Sequence, residues 1–272
     1  MKNFQDKVAV ITGAGAGIGR ALALELAGVG AHLALSGRNL ENVAETAALC
    51  EKAGARARAY QLDVTDRAAV YAHADEVRAD FGPANLLVNN AGVSLTATVE
   101  ELSWEDFEWI VNINFWGVMH GTKAFLPQVI ASGDGHIANV SSMFGLAACP
   151  SQGAYNATKF GIRGFTDALR QEMRIAGHPV GVSSVHPGMV RTGIAWKARA
   201  GGDRDRDALA ANFDRLARTT PEAAAKTILR GIRRDKAKIL VGADARVIDL
   251  LPRLLGSGYQ HVITAQMRRE VS

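Results

Sequence analysis

An α/β fold built around a parallel sheet is what this sequence predicts, on three observations. Residues 7–29, KVAVITGAGAGIGRALALELAGV, read as a strand, a glycine-rich turn and a helix in immediate succession. Six further strand-like runs follow, separated by helical patterns, which is the alternation that α/β folds show. The length of 272 residues and the 48% hydrophobic content suit one such domain with a sizeable core.

Val8 to Ile11 form an unbroken apolar run, as expected of a parallel strand buried on both faces. Thr12-Gly13-Ala14-Gly15-Ala16-Gly17-Ile18-Gly19 then turns the chain into an Ala/Leu-rich helix from Ala21 to Ala27. Strand, glycine turn and helix together are the context of a dinucleotide fingerprint. The glycines let the backbone approach a pyrophosphate, and the helix N-terminus offers it free N–H groups and a partial positive charge. The spacing departs from G-x-G-x-x-G: three residues separate Gly13 from Gly17, and Gly19 comes two later.

His32 to Leu35 read as a second strand, ending in Ser36-Gly37-Arg38-Asn39. In a dinucleotide-binding fold the tip of this strand faces the adenosine ribose. An acidic side chain there binds the 2′-hydroxyl and repels a 2′-phosphate. Here small Gly37 and cationic Arg38 stand instead. A guanidinium pairs with phosphate and stacks on adenine, so this tip favours NADP(H) over NAD(H). Leu40, Val43, Ala44, Ala47 and Ala48 mark the apolar side of the next helix. Ala57 to Leu62 form a third strand closing on Asp63-Val64. Asp63 either accepts from the adenine amino group or shapes the turn into a helix carrying Val70, Ala74, Val77 and Phe81, which Gly82-Pro83 ends.

Asn85 to Val88 are a fourth strand, followed by Asn89-Asn90-Ala91-Gly92. The asparagine amides can tie neighbouring strand ends or form an Asx turn, and small Ala91 and Gly92 leave room for a flat ring. Ser103-Trp104-Glu105-Asp106 reads as a capping box opening one long helix, with Phe107, Ile110, Val111, Asn114 and Val118 on its inward stripe. A buried amide at Asn114 must be hydrogen-bonded, either to support the fold or to organise water in a site.

His136 to Val140 form a fifth strand ending in Ser141-Ser142, and Tyr155 comes thirteen residues after Ser142. Tyr155 and Lys159 are i,i+4 partners and share one face of a helix. A free tyrosine titrates near pH ~10, so acid/base work near neutrality needs a shift of ~2–3 units, or roughly 3–4 kcal/mol. An ammonium one turn away favours the phenolate and supplies part of that shift. Val180 to Val185 are a sixth strand, leading into His186-Pro187-Gly188-Met189-Val190-Arg191-Thr192. Pro-Gly reverses the chain at the carboxyl edge of the sheet, where ligands bind. Thr192 is placed to meet a carboxamide or a phosphate. Residues 189–218 read as a mobile lid with the charged tip KARAGGDRDRD, and Leu209, Phe213 and Leu216 offer a face to close over a ligand. Thr220-Pro221 starts another helix, Ile239 to Val241 make a last short strand, and Val247, Leu250, Leu251, Leu254 and Leu255 form a C-terminal apolar stripe.

In their order and spacing, the TGAGAGIG loop, Asn89 to Gly92, Asn114, Ser142, Tyr155, Lys159 and Pro187-Gly188 resemble the short-chain dehydrogenase/reductase family over nearly the whole chain. The resemblance implies a doubly wound, Rossmann-like parallel sheet of about seven strands. It also implies NAD(P)-linked alcohol/ketone interconversion without a metal, and a homo-oligomer, tetramer or dimer. By that resemblance Tyr155 protonates the carbonyl as hydride arrives. Lys159 lowers the tyrosine pKa and binds the nicotinamide ribose, Ser142 holds the substrate oxygen, and Asn114 holds a water in a proton relay. Gly13, Ala16, Gly17, Ile18 and Gly19 would meet the cofactor phosphates. Ser36, Gly37, Arg38 and Asn39 would meet the ribose end. Asp63, Val64, Asn90, Ala91 and Gly92 would line the middle, and Pro187, Gly188, Val190 and Thr192 the nicotinamide end. Ala16 stands where some NADP-preferring members carry a second basic residue, so the preference rests on Arg38 and the missing acid at Gly37. Met143, Phe144, Gln152, Met189 and Trp196 are expected around the substrate, a mostly apolar set suited to a bulky carbonyl compound.

Two rivals stand beside this reading: a 3-ketoacyl-type reductase, which wants a basic docking face, and a non-catalytic NADP(H) redox sensor. The intact Ser142, Tyr155 and Lys159 set argues against the sensor. The net charge of +4 comes from scattered basic residues, which read as a solvated surface rather than a nucleic-acid site. Cys50 and Cys149 show no disulfide or metal-ligand spacing. No charged-then-apolar leader opens the chain, and no run approaches ~18 apolar residues. A cytoplasmic protein without a membrane partner is the expectation.

Overall fold

The computed structural model describes residues 1–271, with side chains through residue 268. In its first half β1 (Val8–Thr12), α1 (Gly17–Ala27), β2 (His32–Gly37), α2 (Leu40–Lys52), β3 (Ala57–Gln61), α3 (Arg67–Phe81) and β4 (Leu86–Asn89) alternate strictly. Then come β5 (Leu95–Thr96), α4 (Trp104–Val111), α5 (Gly117–Ala131), β6 (Gly135–Val140), α6 (Gly153–Ile175), β7 (Val180–Pro187) and β8 (Arg199–Ala200). The chain continues through α7 (Arg206–Leu216), α8 (Pro221–Arg233), β9 (Lys238–Val241), α9 (Ala243–Leu255) and α10 (Tyr259–Val271). Seven strands form one parallel sheet in the order β3-β2-β1-β4-β6-β7-β9. The strand order reverses between β1 and β4, and a ligand crevice forms at the carboxyl ends beside such a reversal.

Both faces of the sheet are covered, which is why β1 is apolar at every position and wholly buried. Period-two geometry divides its side chains between two cores. Ala9 and Ile11 join Leu33 and Leu35 against Leu22 and Leu26 of α1 and Ile228 and Ile232 of α8. Val8 and Val10 join Leu87, Ile137 and Val182 against Val70 and Val77 of α3, Phe125 of α5 and Leu169 of α6. Helix starts follow capping chemistry: Ser103 Oγ accepts from Asp106 N–H and Thr220 Oγ1 from Ala223 N–H, with Pro221 in the first turn of α8. Among the described residues no helix is long and apolar enough to cross a membrane.

One expectation is corrected, and two others gain detail. The helix opened by Ser103 is not continuous: a π-helical turn, Asn112–Trp116, separates α4 from α5 and carries the buried Asn114. Such turns insert one extra residue per turn and gather at functional sites. The segment after Met189, expected as a lid, is tied down at several points in this conformation. β8 pairs in parallel with β5, Arg199 Nη1 lies 2.7 Å from Asp106 Oδ1 with its guanidinium 4.2 Å from the Trp109 ring centroid, and Arg204 pairs with Glu101. Finally, α7 leaves Leu209 and Leu216 exposed, so its apolar face does not cover the crevice in this conformation, and the C-terminal stripe on α9 exposes Val247, Leu250, Leu254 and Leu255.

Three histidines lie inside this fold. The His73 ring sits edge-on to Tyr60 and Phe125, and neither ring nitrogen has a hydrogen-bond partner among the described residues. Burial pushes His73 and His186 down to about 4 and His136 to about 3. Each stays neutral when folded, while in the unfolded chain it takes up a proton below about pH 6.5. The unfolded state therefore binds more protons, and stability falls as pH drops from about 6.5 toward 4, at up to about 1.4 kcal/mol per pH unit for each histidine. Urea melts at pH 7, 5.5 and 4.5 check this, and His73→Phe should flatten the slope. A stability that holds steady on acidification would refute it.

Candidate active site

The crevice begins at the glycine loop. Gly13 and Gly17 hold positive φ of 66° and 55°, which disfavours a side chain. A Cβ at Gly13 would lie 2.9 Å from Ala91 Cα, and one at Gly19 2.3 Å from the Gly13 carbonyl oxygen. The Asn90 amide locks the loop from β4, donating to the carbonyls of Thr12 at 2.9 Å and Gly13 at 3.2 Å. Asn89 ties the next strand, its Nδ2 donating to Asn139 Oδ1 at 2.8 Å. The adjacent asparagines thus join strand ends, one of the two roles open to them in sequence. Ala16 gives α1 no side-chain cap, whereas Asn39, Asp66, Ser103, Asp205 and Thr220 cap their helices. The first N–H groups of α1 are therefore left for an anion.

A cleft of about 360 Å³ runs from this loop along the carboxyl edge. Gly13, Ala16, Gly17 and Ile18 form its floor; Gly37, Arg38 and Asn39 one end; Asp63, Val64 and Asn90 to Gly92 its wall. Thr192 comes over Gly17 from the far side, its Cγ2 3.0 Å from where a Gly17 Cβ would stand. Asp63 does form a turn, Oδ1 accepting from Thr65 N–H and Oγ1, yet it also lines the cleft. Ser36 does not reach the cleft: it is fully buried, with its hydroxyl directed at the Ile11 carbonyl. Gly19 lies behind the loop, and buried Val190 bridges to Thr219. Asn42, Trp109, Ile113, Ile194 and Lys197 also line the cleft and were not anticipated. Trp109 and Ile113 are one turn apart, a spacing that could have placed both on one face.

Ser142, Tyr155 and Lys159 converge beside this cleft. Ser142 lies two residues after β6, where its Oγ accepts from Phe144 N–H at 3.1 Å and its hydroxyl is near enough to the Tyr155 phenol to favour the phenolate. Tyr155 is half-buried in the first turn of α6. Lys159 follows one turn later, with Nζ 5.4 Å from the Tyr155 ring centroid and 3.1 Å from the Val140 carbonyl oxygen. Gly92 connects the set to the cleft, since a Cβ there would lie 3.6 Å from Lys159 Nζ and 3.2 Å from Asn114 Oδ1. The Asn114 amide is fully buried and exchanges two bonds with the Val93 backbone, at 2.8 and 2.9 Å.

The electrostatics depart from expectation. Burial raises the Tyr155 phenol above its ordinary value, and the bond from Ser142 only opposes this. Burial also lowers Lys159 to about 8, which leaves it cationic at neutral pH. Without cofactor, then, the protein holds Tyr155 as a neutral phenol, the form able to give a proton.

The expected substrate wall is divided. Phe144 stands edge-on to Tyr155 at 6.4 Å between centroids, and Met143 is buried beside it in sequence. Gln152 Nε2 donates to Thr96 Oγ1 at 2.8 Å, joining α6 to β5. Trp196 turns away: it is exposed, and its indole N–H donates to Asp214 Oδ2 at 2.7 Å. A separate cavity of about 600 Å³ lies around Asp106, Arg199 and Arg204 to Asp207, whose charges pair largely with one another and which Ser142, Tyr155 and Lys159 do not line. Met189 is held through its N–H by Asp244 Oδ2 at 2.6 Å. The same carboxylate explains Gly188, where a Cβ would fall 2.1 Å from Asp244 Oδ1. Gly188→Ala should cost about 1–3 kcal/mol through overpacking. Thermal melts check it, and adding Asp244→Ala should return part of the loss. No loss in the single variant would refute the clash.

Comparison with known proteins agrees with this geometry. A family profile described as short chain dehydrogenase matches residues 7–203. The chain is 51% identical over 266 residues to SadH, named as an oxidoreductase, of Mycobacterium tuberculosis, covering 97% of this chain and 96% of that one. A short chain dehydrogenase/reductase from Burkholderia phymatum in complex with NAD superposes with a TM-score of 0.87 at 33% identity, covering 93% and 95% of the two chains. An alcohol dehydrogenase from Thermococcus sibiricus complexed with 5-hydroxy-NADP gives 0.75 at 27% identity, over 86% and 95%. Glycine loop, doubly wound sheet and Ser-Tyr-Lys set, together with these matches, make this chain an oxidoreductase belonging to the short-chain dehydrogenase/reductase family, which binds a nicotinamide cofactor.

Proposed function

We propose that this oxidoreductase transfers hydride between NADP(H) and an alcohol/ketone pair whose carbonyl compound is bulky and largely apolar. The observation that carries the reading is the convergence of Ser142, Tyr155 and Lys159, the lysine one turn after the tyrosine, opening through Gly92 onto a cleft with Arg38 at the end assigned to the ribose.

The residues present suit a dinucleotide. The loop leaves no room for a Cβ at Gly13 or Gly19, and the uncapped start of α1 is suited to a pyrophosphate. When bound, NADPH supplies the hydride that reduces the carbonyl carbon and leaves as NADP⁺. The Ser142 hydroxyl holds the substrate oxygen where negative charge develops. Tyr155 gives its phenolic proton to that oxygen, completing the alcohol. The Lys159 ammonium steadies the phenolate and binds the nicotinamide ribose. Asn114 keeps one amide hydrogen beyond its bonds to Val93, and this is the donor assigned to a water relaying protons to Lys159. Met143 and Phe144 form the apolar side of the substrate space, and residues 189–218 serve as its lid.

Initial rates of NADPH and NADH oxidation across ketones of graded bulk test this reading. Turnover with NADPH that rises with substrate bulk is the expected result. Turnover with NADH alone would remove the cofactor assignment and keep the mechanism. Tight NADPH binding without any turnover would favour a redox sensor.

A further inference from the structure

The proton-transfer pair rests on a buried imidazole that the mechanism above does not use. His186, the penultimate residue of β7, is fully buried. Its Nδ1 lies 2.8 Å from the Ser142 carbonyl oxygen, and its Nε2 lies 2.9 Å from Ser184 Oγ. A carbonyl only accepts, so Nδ1 carries the ring hydrogen. Nε2 is then a lone pair, and the Ser184 hydroxyl donates to it. The network therefore selects one neutral tautomer.

The Ser142 carbonyl has a second donor, Gly145 N–H at 3.0 Å, which closes the short turn after β6. The Ser142 side chain has its own restraint, Phe144 N–H on Oγ at 3.1 Å. These bonds fill both acceptor positions of the Ser142 carbonyl and one of the two on its Oγ, and they leave its one hydroxyl hydrogen for Tyr155. Gly145 and Phe144 belong to the same turn as Ser142, so they define its shape without placing it in space. Ser141 N–H already pairs with the Val185 carbonyl of β7 at 2.8 Å, and His186 adds a side-chain bond from the same strand to Ser142 itself. It stands one residue before Pro187-Gly188, and so joins two walls of the site. An apolar side chain of similar size would fill the space and leave the carbonyl without that donor.

We propose that His186 is a positioning residue: a neutral Nδ1–H imidazole, oriented by Ser184, that fixes Ser142 for its hydrogen bond to Tyr155. This rests on the reading of Ser142 and Tyr155 as the proton-transfer pair.

His186→Leu and His186→Asn test it. Asparagine can present an N–H near the position of Nδ1, and leucine cannot. His186→Leu should lower kcat by about 10- to 100-fold while the NADPH dissociation constant, read by fluorescence, stays within about three-fold. Its alkaline limb in the kcat profile should move to higher pH, because the bond from Ser142 lowers the phenol pKa. His186→Asn should recover most of kcat and return the limb. A folded leucine variant with parental kcat and an unmoved limb would overturn the proposal. So would an asparagine variant as impaired as leucine with its limb unmoved, since bulk alone would then matter. Should the leucine variant not fold, ¹⁵N spectra of the intact protein decide the matter: a His186 Nδ1–H tautomer supports the proposal and an Nε2–H tautomer defeats it. An active Tyr155→Phe variant would instead remove the underlying mechanism and leave that tautomer measurement untouched.

Discussion

Tyr155→Phe lowers kcat by about 10²- to 10⁴-fold and leaves NADPH affinity within about three-fold. The substitution keeps the aromatic ring, its edge contact with Phe144 and its distance from Lys159. It removes only the phenolic oxygen, and with it both the proposed proton source and the group whose pKa the Ser142 hydroxyl lowers. The fold should hold, since the ring volume is unchanged and the lost hydrogen bond is worth about 1 kcal/mol net. Single-turnover NADPH oxidation and fluorescence titration, run on the same preparation, separate chemistry from binding. Parental turnover in this variant would end the mechanism, and a matching collapse of NADPH affinity would make Tyr155 a binding residue instead.

Arg38→Ala weakens NADPH binding by about 10²-fold and NADH binding by no more than about two-fold. Arg38 is exposed at the β2 end of the cleft, next to Gly37, and the strand tip Ser36 to Asn39 carries no acid to repel a 2′-phosphate. A guanidinium on that phosphate makes a charge-assisted bond at a solvated site, so the gain is screened by salt. NADPH affinity should accordingly fall with ionic strength in the parent, and the slope should shrink in the variant. Titration of both cofactors at low and high salt reads all four values. Equal losses for NADPH and NADH would mean that Arg38 does not touch the 2′-phosphate. This test is needed because one related structure is complexed with NAD and another with an NADP analogue.

Elements and chemistry were legible wherever they depend on near neighbours in the chain. The seven strands appear within one or two residues of their observed ends; central strands such as β1 and β4 are buried on both faces and so nearly apolar throughout, whereas the edge strand β3 exposes Arg58 and Gln61. The glycine loop is readable because positive φ and close backbone approach admit little else. Tyr155 and Lys159 are readable as a pair because four residues make about one helical turn. The π-helical turn was not legible, since Phe107 to Val118 keep a plausible helical stripe. What sets that turn apart is the Asn114 amide reaching Val93, 21 residues back.

By itself, then, the sequence determined the α/β class, the glycine loop, the Ser142–Tyr155–Lys159 set and the basic residue at the tip of β2. Tertiary structure alone decided the rest. It turned Ser36 inward and left Arg38 at the cleft, though they stand two residues apart. It tied the charged tip of the presumed lid to Asp106 and Glu101, and it sent Trp196 to Asp214 rather than to the substrate. It set His186 against Ser142 and Asp244 against Met189, across 44 and 55 residues. It also reversed the expected shift of Tyr155, because burial outweighs what its neighbours supply. Local periodicity reflects the repeat of the backbone and is written in adjacent residues. Contacts and burial depend on the order in which strands assemble, and that order brings together residues whose spacing along the chain carries no signal.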